Sequence, residues 1–158
     1  MVKVGDKAPD FTLEGVDEKG VERSYSLKGL KGKRIVLYFY PKDNTPGCTV
    51  EACDFRDSMN RLVRDGVVVL GVSPDSVASH RRFQEKQNLN FPLLSDPDRK
   101  VAALYGAYGE KKMYGKTVMG IIRSTFIISG TGTTEKLWTK VKAKGHVDEV
   151  LQTLRGSL

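Results

Sequence analysis

The sequence contains only two cysteines and two histidines among its 158 residues. So few cysteines exclude a disulfide-stabilised scaffold, which in a small secreted protein needs several pairs. A zinc site takes about four ligands, and His80 and His146 lie far along the chain from Cys48 and Cys53. We therefore expect no metal site. His80 precedes two arginines and is expected at the surface.

Long hydrophobic runs are also missing. No segment approaches the roughly 18 consecutive apolar residues that a membrane span needs. The opening MVKVGDKAPDF has neither an apolar core nor a small-residue cleavage site, so it does not resemble a secretory signal. With 39% hydrophobic residues, the chain can bury a core of its own. We expect one cytoplasmic domain over residues 1–158, with no membrane contact.

The net charge is +7, but the basic residues are not arranged as they are on a surface that binds nucleic acid. Its basic residues concentrate in segments 28–34, 111–116 and 136–144, and no cluster is interleaved with aromatic residues. We therefore expect no nucleic-acid binding. A basic surface also suits an acidic protein partner, although charge alone does not identify one.

Strand-like and helix-like segments alternate along the chain, which predicts a three-layer α/β sandwich with a mixed central sheet. Residues 10–13 and 22–26 predict an N-terminal β-hairpin. Ser73-Pro74-Asp75 is expected to cap the second helix, and the stretch after residue 105 reads as a glycine- and lysine-rich loop. The remaining predicted strands are 34–40, 67–72, 91–94, 124–128 and 134–138. The second helix is predicted to run from its cap to about residue 87, and the other predicted helices are 45–64, 96–105 and 146–154.

Cys48 is predicted to lie in the first turn of a helix. Thr45 suits the N-cap and Pro46 the first helical position, which makes Cys48 the third helical residue. Unpaired backbone N–H groups and the positive end of the helix dipole favour a thiolate there. Gly47 lets the backbone come close to whatever Cys48 attacks.

Cys53 lies about 140° around the same helix from Cys48. Residues five apart in a helix have Cα atoms about 8.7 Å apart, whereas a disulfide needs them within about 7 Å. A bridge between the two cysteines therefore requires part of the helix to unwind, which favours a transient bond over a structural one. The apolar face shared with Cys48 is predicted to contain Ala52, Phe55, Met59, Leu62 and Val63.

Three interpretations remain at this point. A thiol peroxidase fits a reactive cysteine with a second cysteine four residues beyond it. A disulfide reductase of the thioredoxin type is the alternative enzyme, but its pair is spaced Cys-x-x-Cys. A redox-inert binding or scaffold protein is the third, and an unreactive core position stays open for Cys53.

A peroxide also needs a fixed cation, since negative charge develops on the departing oxygen. Arg123 stands directly before an apolar strand, where a charge is unusual. From the residues alone, a surface residue at a strand end is the favoured interpretation of this arginine. The residues alone do not show which arginine supplies this cation.

The pattern Pro41-x-x-x-Thr45-x-x-Cys48 resembles the active-site signature of the peroxiredoxins. The wider sequence resembles the bacterioferritin-comigratory-protein branch, also called peroxiredoxin Q, and the likeness covers essentially the whole chain. The matching segments are GDKAPDF (5–11), YFYPKD (38–43), TPGC (45–48), EAC (51–53), SPDS (73–76) and RSTF (123–126).

The resemblance implies a thioredoxin-like fold with an N-terminal β-hairpin. It also implies reduction of hydrogen peroxide and organic hydroperoxides without metal or organic cofactor. Members are often monomeric, with thioredoxin as the usual electron donor. By the same likeness, Cys48 is the peroxidatic cysteine and Cys53 the resolving cysteine, which forms an intramolecular disulfide.

Four further roles are implied by the resemblance. Thr45 makes a hydrogen bond at the thiolate and the peroxide. Arg123 stabilises the thiolate and the reacting oxygens. Pro41 shields the sulfur, and Glu51 corresponds to an acidic residue that orients the arginine.

Overall fold

The computed structural model describes residues 2–156. Its nine strands and four helices, apart from a short 3-10 turn at Lys28–Leu30, are as follows. The strands are β1 (Thr12–Val16), β2 (Glu22–Ser26), β3 (Arg34–Phe39), β4 (Val67–Ser73), β5 (Leu93–Ser95), β6 (Tyr108–Met113), β7 (Lys116–Ile121), β8 (Ser124–Ile128) and β9 (Thr134–Trp138). The helices are α1 (Pro46–Arg64), α2 (Val77–Gln87), α3 (Lys100–Tyr105) and α4 (His146–Gly156).

Seven strands form one mixed sheet in the order β2-β1-β5-β4-β3-β8-β9. The inner strands β3, β4 and β5 are parallel, and the outer pairings are antiparallel. Helical crossovers connect the parallel strands, as this geometry requires. The carboxyl end of β3 leads directly into the loop before α1, so the centre of the sheet positions Cys48.

Side chains of β3 alternate between the two faces of the sheet, since successive residues of a strand point to opposite sides. Val36 and Tyr38 pack in the core under α1, α2 and α4. Leu37 and Phe39 pack on the other face, in the core that includes residues of α3. The predicted three-layer α/β sandwich with a mixed central sheet is therefore confirmed.

The N-terminal hairpin and the pairing of β8 with β9 are confirmed, but other boundaries differ from the prediction. β1 begins at Thr12 rather than at residue 10. Helix α2 is capped by Ser76, whose hydroxyl oxygen accepts a hydrogen bond from Ser79 N at 3.1 Å. The expected cap at Ser73-Pro74-Asp75 is wrong, because that segment precedes the cap and Asp75 binds another loop instead.

The glycine- and lysine-rich loop is also a wrong prediction. Its residues form an antiparallel hairpin, β6–β7, that pairs only within itself. Most of its side chains are exposed on both faces. Such a ribbon has no apolar alternation, so the period-2 pattern on which strand prediction depends is absent.

His80 is fully buried, so its predicted place at the surface is wrong. It follows Val77 by three residues and precedes Phe83 by three, and this helical spacing puts it on the inward face of α2. The arginines beside it occupy the exposed face. The neighbours in sequence were misleading, because adjacent residues of a helix point in different directions.

Helix α1 buries Cys48, Ala52, Phe55, Met59 and Leu62, as predicted. Val63 is 66% exposed, so its assignment to the inward face is wrong. The apolar stripe is narrower than predicted and ends at Leu62.

In the described part of the chain, no helix is long and apolar enough to cross a membrane.

The corrected face of α1 can be tested with one pair of substitutions. Phe55 is fully buried and stacks on Tyr38 with ring centroids 4.8 Å apart. Phe55→Ala should lower the free energy of unfolding by about 3–5 kcal/mol, since a cavity remains. Val63→Ala should change it by less than about 0.5 kcal/mol. Urea unfolding followed by Trp138 fluorescence measures both, and equal losses would contradict this packing.

Candidate active site

Cys48 lies at the electropositive start of α1, and its side chain is only 2% exposed. Thr45 occupies the N-cap position and Pro46 the first helical position, as predicted. The Thr45 hydroxyl does not cap the helix, however, because it donates to the carbonyl oxygen of Lys42 at 2.8 Å. The backbone N–H groups of the first turn therefore keep the unpaired positions that suit an anion.

Arg123 supplies the cation beside the sulfur. Its Nη2 donates to Cys48 Sγ at 3.2 Å, and its Nη1 donates to Glu51 Oε1 at 2.7 Å. Burial opposes the charged guanidinium, but the negative charges of Glu51 and Cys48 raise the Arg123 pKa above its ordinary value. One planar group thus links the start of β8 to two residues of α1.

Gly47 leaves the room that Arg123 occupies. A Cβ atom at Gly47 would lie 3.3 Å from Arg123 Nη2 and 3.8 Å from Ala143 Cβ. The sequence indicated that this glycine allows a close approach to the backbone. The guanidinium is the group that makes this approach.

Glu51 is completely buried, and only one of its carboxyl oxygens has a partner within the protein. Oε1 accepts from Arg123, whereas Oε2 has none. Burial raises the pKa of Glu51 to about 7, although the Arg123 charge opposes the rise. The hydroxyl of nearby Tyr38 is also buried without a partner. Burial first, and then the charges of Glu51 and Cys48, raise the Tyr38 pKa well above its ordinary value.

A cavity of about 640 Å³ opens in front of this group. Pro41 and Arg123 both line it, but Cys48 lies behind them. The sequence missed Lys111, which also lines the cavity and donates to the carbonyl oxygen of Ile121 at 2.9 Å. No strand was predicted there, so nothing indicated that this lysine turns towards the site.

Cys53 lies on the flank of α1, away from this group. It is partly buried, and its thiol donates to Gln87 Oε1 at 3.6 Å. Helix α1 is continuous through both cysteines, and both are free thiols. The structure therefore brings together Cys48, Arg123 and Glu51 but leaves Cys53 apart.

The two histidines lie in separate hydrogen-bond networks. His80 contacts Asp43 and the Leu94 carbonyl oxygen, and His146 Nε2 lies 2.8 Å from Thr125 Oγ1. Within residues 2–156, no three or more His, Cys, Asp or Glu side chains are grouped so that they could hold a metal ion.

The family model described as AhpC/TSA matches residues 4–136. Peroxiredoxin Bcp of Bacillus subtilis is 51% identical over 154 residues, which cover 98% of this chain and 96% of that protein. Peroxiredoxin Bcp of Escherichia coli is 45% identical over 154 residues, with the same coverage of both chains.

Solved structures of peroxiredoxin Q share the fold. The chain superimposes on PrxQ of Xylella fastidiosa with a TM-score of 0.91 and 37% identity, covering 99% of this chain and 98% of the other. For Xanthomonas campestris peroxiredoxin Q, the TM-score is 0.84 and the identity 42%, with 92% of each chain covered.

The fold, the site and these similarities together define a thiol peroxidase. The chain belongs to the AhpC/TSA family and, within it, to the Bcp branch of the peroxiredoxins, also called PrxQ. The resemblance seen in the sequence is thereby confirmed, as is the thioredoxin-like fold.

The buried Glu51 carboxyl should make stability depend on pH. Burial raises its pKa from 4.5 to about 7. Between these two pH values, the Glu51 carboxyl is protonated in the folded protein but has lost its proton in the unfolded chain. Stability from this group is complete below pH 4.5 and is lost as the pH rises through 7. Glu51→Gln should remove this loss, on the order of 3 kcal/mol.

Urea unfolding at several pH values between these limits measures the effect. Glu85→Gln is the control, because Glu85 is exposed on α2, and its curve should run parallel to that of the unmodified protein. If the Glu51→Gln curve is also parallel, the assigned titration of Glu51 is wrong.

Proposed function

We propose that the enzyme reduces hydrogen peroxide and organic hydroperoxides through a Cys48 sulfenic acid. Cys53 then resolves this acid as an intramolecular disulfide, and thioredoxin or a similar dithiol protein restores both thiols. The contact of 3.2 Å between Arg123 Nη2 and Cys48 Sγ carries the proposal. It puts a permanent cation on a sulfur that already lies at a helix start.

In the first step, the Cys48 thiolate attacks one peroxide oxygen. An S–O bond forms and the O–O bond breaks, and the second oxygen leaves as water or an alcohol after taking up a proton. Cys48 becomes a sulfenic acid. Arg123 and the N–H groups of the first turn stabilise the charge that develops on the oxygens.

Thr45 is oriented for a role at the peroxide. Its hydroxyl proton is directed to the Lys42 carbonyl, so its oxygen is left to accept a hydrogen bond from the peroxide O–H. Pro41 shields the sulfur from the side of the cavity, whose wall it shares with Arg123. Glu51 orients Arg123 through the bond of 2.7 Å.

In the second step, the first turns of α1 unwind and the Cys53 sulfur attacks the sulfenic acid. A disulfide forms and water leaves. A dithiol reductant then attacks this disulfide and is itself oxidised, which returns both cysteines to thiols. The continuous helix and the hydrogen bond of Cys53 to Gln87 support unwinding as a separate step.

The alternative, a disulfide reductase of the thioredoxin type, fits this geometry less well. A protein disulfide has to reach the attacking sulfur, but Cys48 is 2% exposed. A peroxide is much smaller than a folded protein, so a buried sulfur favours the peroxide as the substrate. Resolution within one chain needs no second copy, so we also propose that residues 1–158 form one domain that works as a monomer.

The roles of the two cysteines predict different defects. Cys48→Ser should abolish peroxide reduction, because no thiolate remains at the helix start. Cys53→Ser should still be oxidised once, but steady turnover with thioredoxin should stop. Peroxide-dependent NADPH oxidation with thioredoxin and thioredoxin reductase measures turnover. Unchanged cycling by Cys53→Ser would rule out its role, and reduction of insulin without peroxide would favour the alternative.

Arg123→Met should slow the oxidation of Cys48 by about 100-fold, since a preorganised donor is lost from the transition state. The control is Arg34→Met, because Arg34 pairs with Glu135 at 3.1 Å at the other end of β3. Stopped-flow measurement of one oxidation step compares the variants. A rate for Arg123→Met equal to that of the control would remove Arg123 from the mechanism.

A further inference from the structure

We propose that Asp43 and His80 are positioning residues for the peroxidase reaction. As a buried, hydrogen-bonded pair, they anchor the active-site loop (residues 41–45) to α2. The inference rests on the proposed function of Cys48, and it adds a pair of residues outside the reacting group. His80 lies on α2, whereas Cys48 and Glu51 lie on α1 and Arg123 stands directly before β8.

Both ring nitrogens of His80 face oxygen atoms. Nδ1 lies 2.8 Å from Asp43 Oδ2, and Nε2 lies 2.8 Å from the carbonyl oxygen of Leu94. A carbonyl oxygen only accepts hydrogen bonds, so Nε2 carries a proton. The ring is fully buried, and the Tyr40 hydroxyl also lies 3.4 Å from Nδ1.

Three side chains hold the Asp43 carboxyl in place. Its Oδ1 accepts from the Tyr40 hydroxyl at 2.6 Å, and its Oδ2 accepts from the Ser79 hydroxyl at 2.8 Å and lies 2.8 Å from His80 Nδ1. Two of these partners, Ser79 and His80, belong to α2. Removal of either member of the pair leaves buried polar atoms without a partner, which is costly.

The same residue ties down the loop by its backbone. Asp43 N donates to Asp75 Oδ2 at 2.7 Å, and Asp75 in turn accepts from the Ser73 hydroxyl at 2.9 Å. The next residue, Asn44, has a positive φ of 61°. A left-handed residue between an anchor and a helix start fixes the direction in which the chain enters the helix.

The anchor is close in the chain to the catalytic groups. Thr45 lies two residues after Asp43, and its hydroxyl bonds to the carbonyl of Lys42, the residue before Asp43. The Thr45 carbonyl oxygen also accepts from Thr49 N at 2.9 Å, which is the first bond of α1. Displacement of Asp43 therefore shifts both the Thr45 hydroxyl and the turn that holds Cys48.

Helix α2 provides a matched control. Gln84 lies one turn after His80 and is also buried, but its Nε2 donates to the carbonyl oxygen of Asp17 at 2.7 Å. It ties α2 to the turn between β1 and β2, away from the active-site loop. Gln84→Met removes a buried hydrogen bond from the same helix without touching the anchor.

The experiment uses the full chain with Cys53→Ser, so that only the first oxidation of Cys48 is observed. Hydrogen peroxide is the probe, and dimedone trapping with mass spectrometry gives the rate of sulfenic acid formation. Asp43→Ala and His80→Gln should slow this rate by about 10- to 100-fold, as small displacements of catalytic groups do. The double variant should be no slower than the slower single variant, because the two residues act as one unit.

Gln84→Met should lower the unfolding midpoint in urea about as much as Asp43→Ala and His80→Gln do. It should leave the rate of sulfenic acid formation within about 2-fold of the parent rate, since the loop is undisturbed. Equal slowing by Gln84→Met, or unchanged rates in the Asp43 and His80 variants, would overturn the proposal. If the parent protein does not react with peroxide, the proposed function fails instead.

A second measurement needs no substitution. Nitrogen-15 NMR of the unmodified protein should show a proton on His80 Nε2 that exchanges slowly with water, because the ring is buried and this atom bonds to the Leu94 carbonyl oxygen. A missing or rapidly exchanging Nε2 proton would contradict the anchored ring, even if the substituted chains do not fold.

Discussion

The arrangement of the site depends on one guanidinium. Arg123 enters from the strand edge at β8 and binds two residues of α1, the Cys48 sulfur and the Glu51 carboxyl. These residues are three apart, so they lie on the same face of the helix. The helix start thus has two sources of positive potential, its own backbone and a fixed side chain. Gly47 favours this arrangement, because a Cβ atom there would lie only 3.3 Å from the guanidinium.

In the proposed mechanism, the same helix has to satisfy two opposed requirements. Peroxide reduction needs the first turn intact, because its N–H groups and its contact with Arg123 stabilise the thiolate. Disulfide formation needs that turn opened, because Cys53 lies on another side of the helix. Beyond the first turns, Phe55, Met59 and Leu62 hold the rest of α1 against the sheet. Opening is therefore favoured at the N-terminal end, where few apolar side chains are buried.

Local patterns in the sequence predicted the most local features best. Thr45-Pro46-Gly47-Cys48 specified the helix start, since capping preferences act within a few residues. The contact of Arg123 with Cys48 joins residues 75 apart. The residues alone offered Arg123 as a candidate cation, but only the family resemblance singled it out among the arginines. His80 was misplaced because its neighbours in sequence are charged, whereas its partners, Asp43 and Leu94, come from elsewhere in the fold. The β6–β7 hairpin was missed because it buries little.

That hairpin pairs with no strand of the central sheet, yet it forms one wall of the cavity in front of Arg123. Its exposed residues contribute little to the hydrophobic core. Substitutions of these exposed residues alter the charge and shape of the cavity while leaving the buried core in place. The fold therefore separates the part that must stay constant for chemistry from a part in which selectivity is free to evolve.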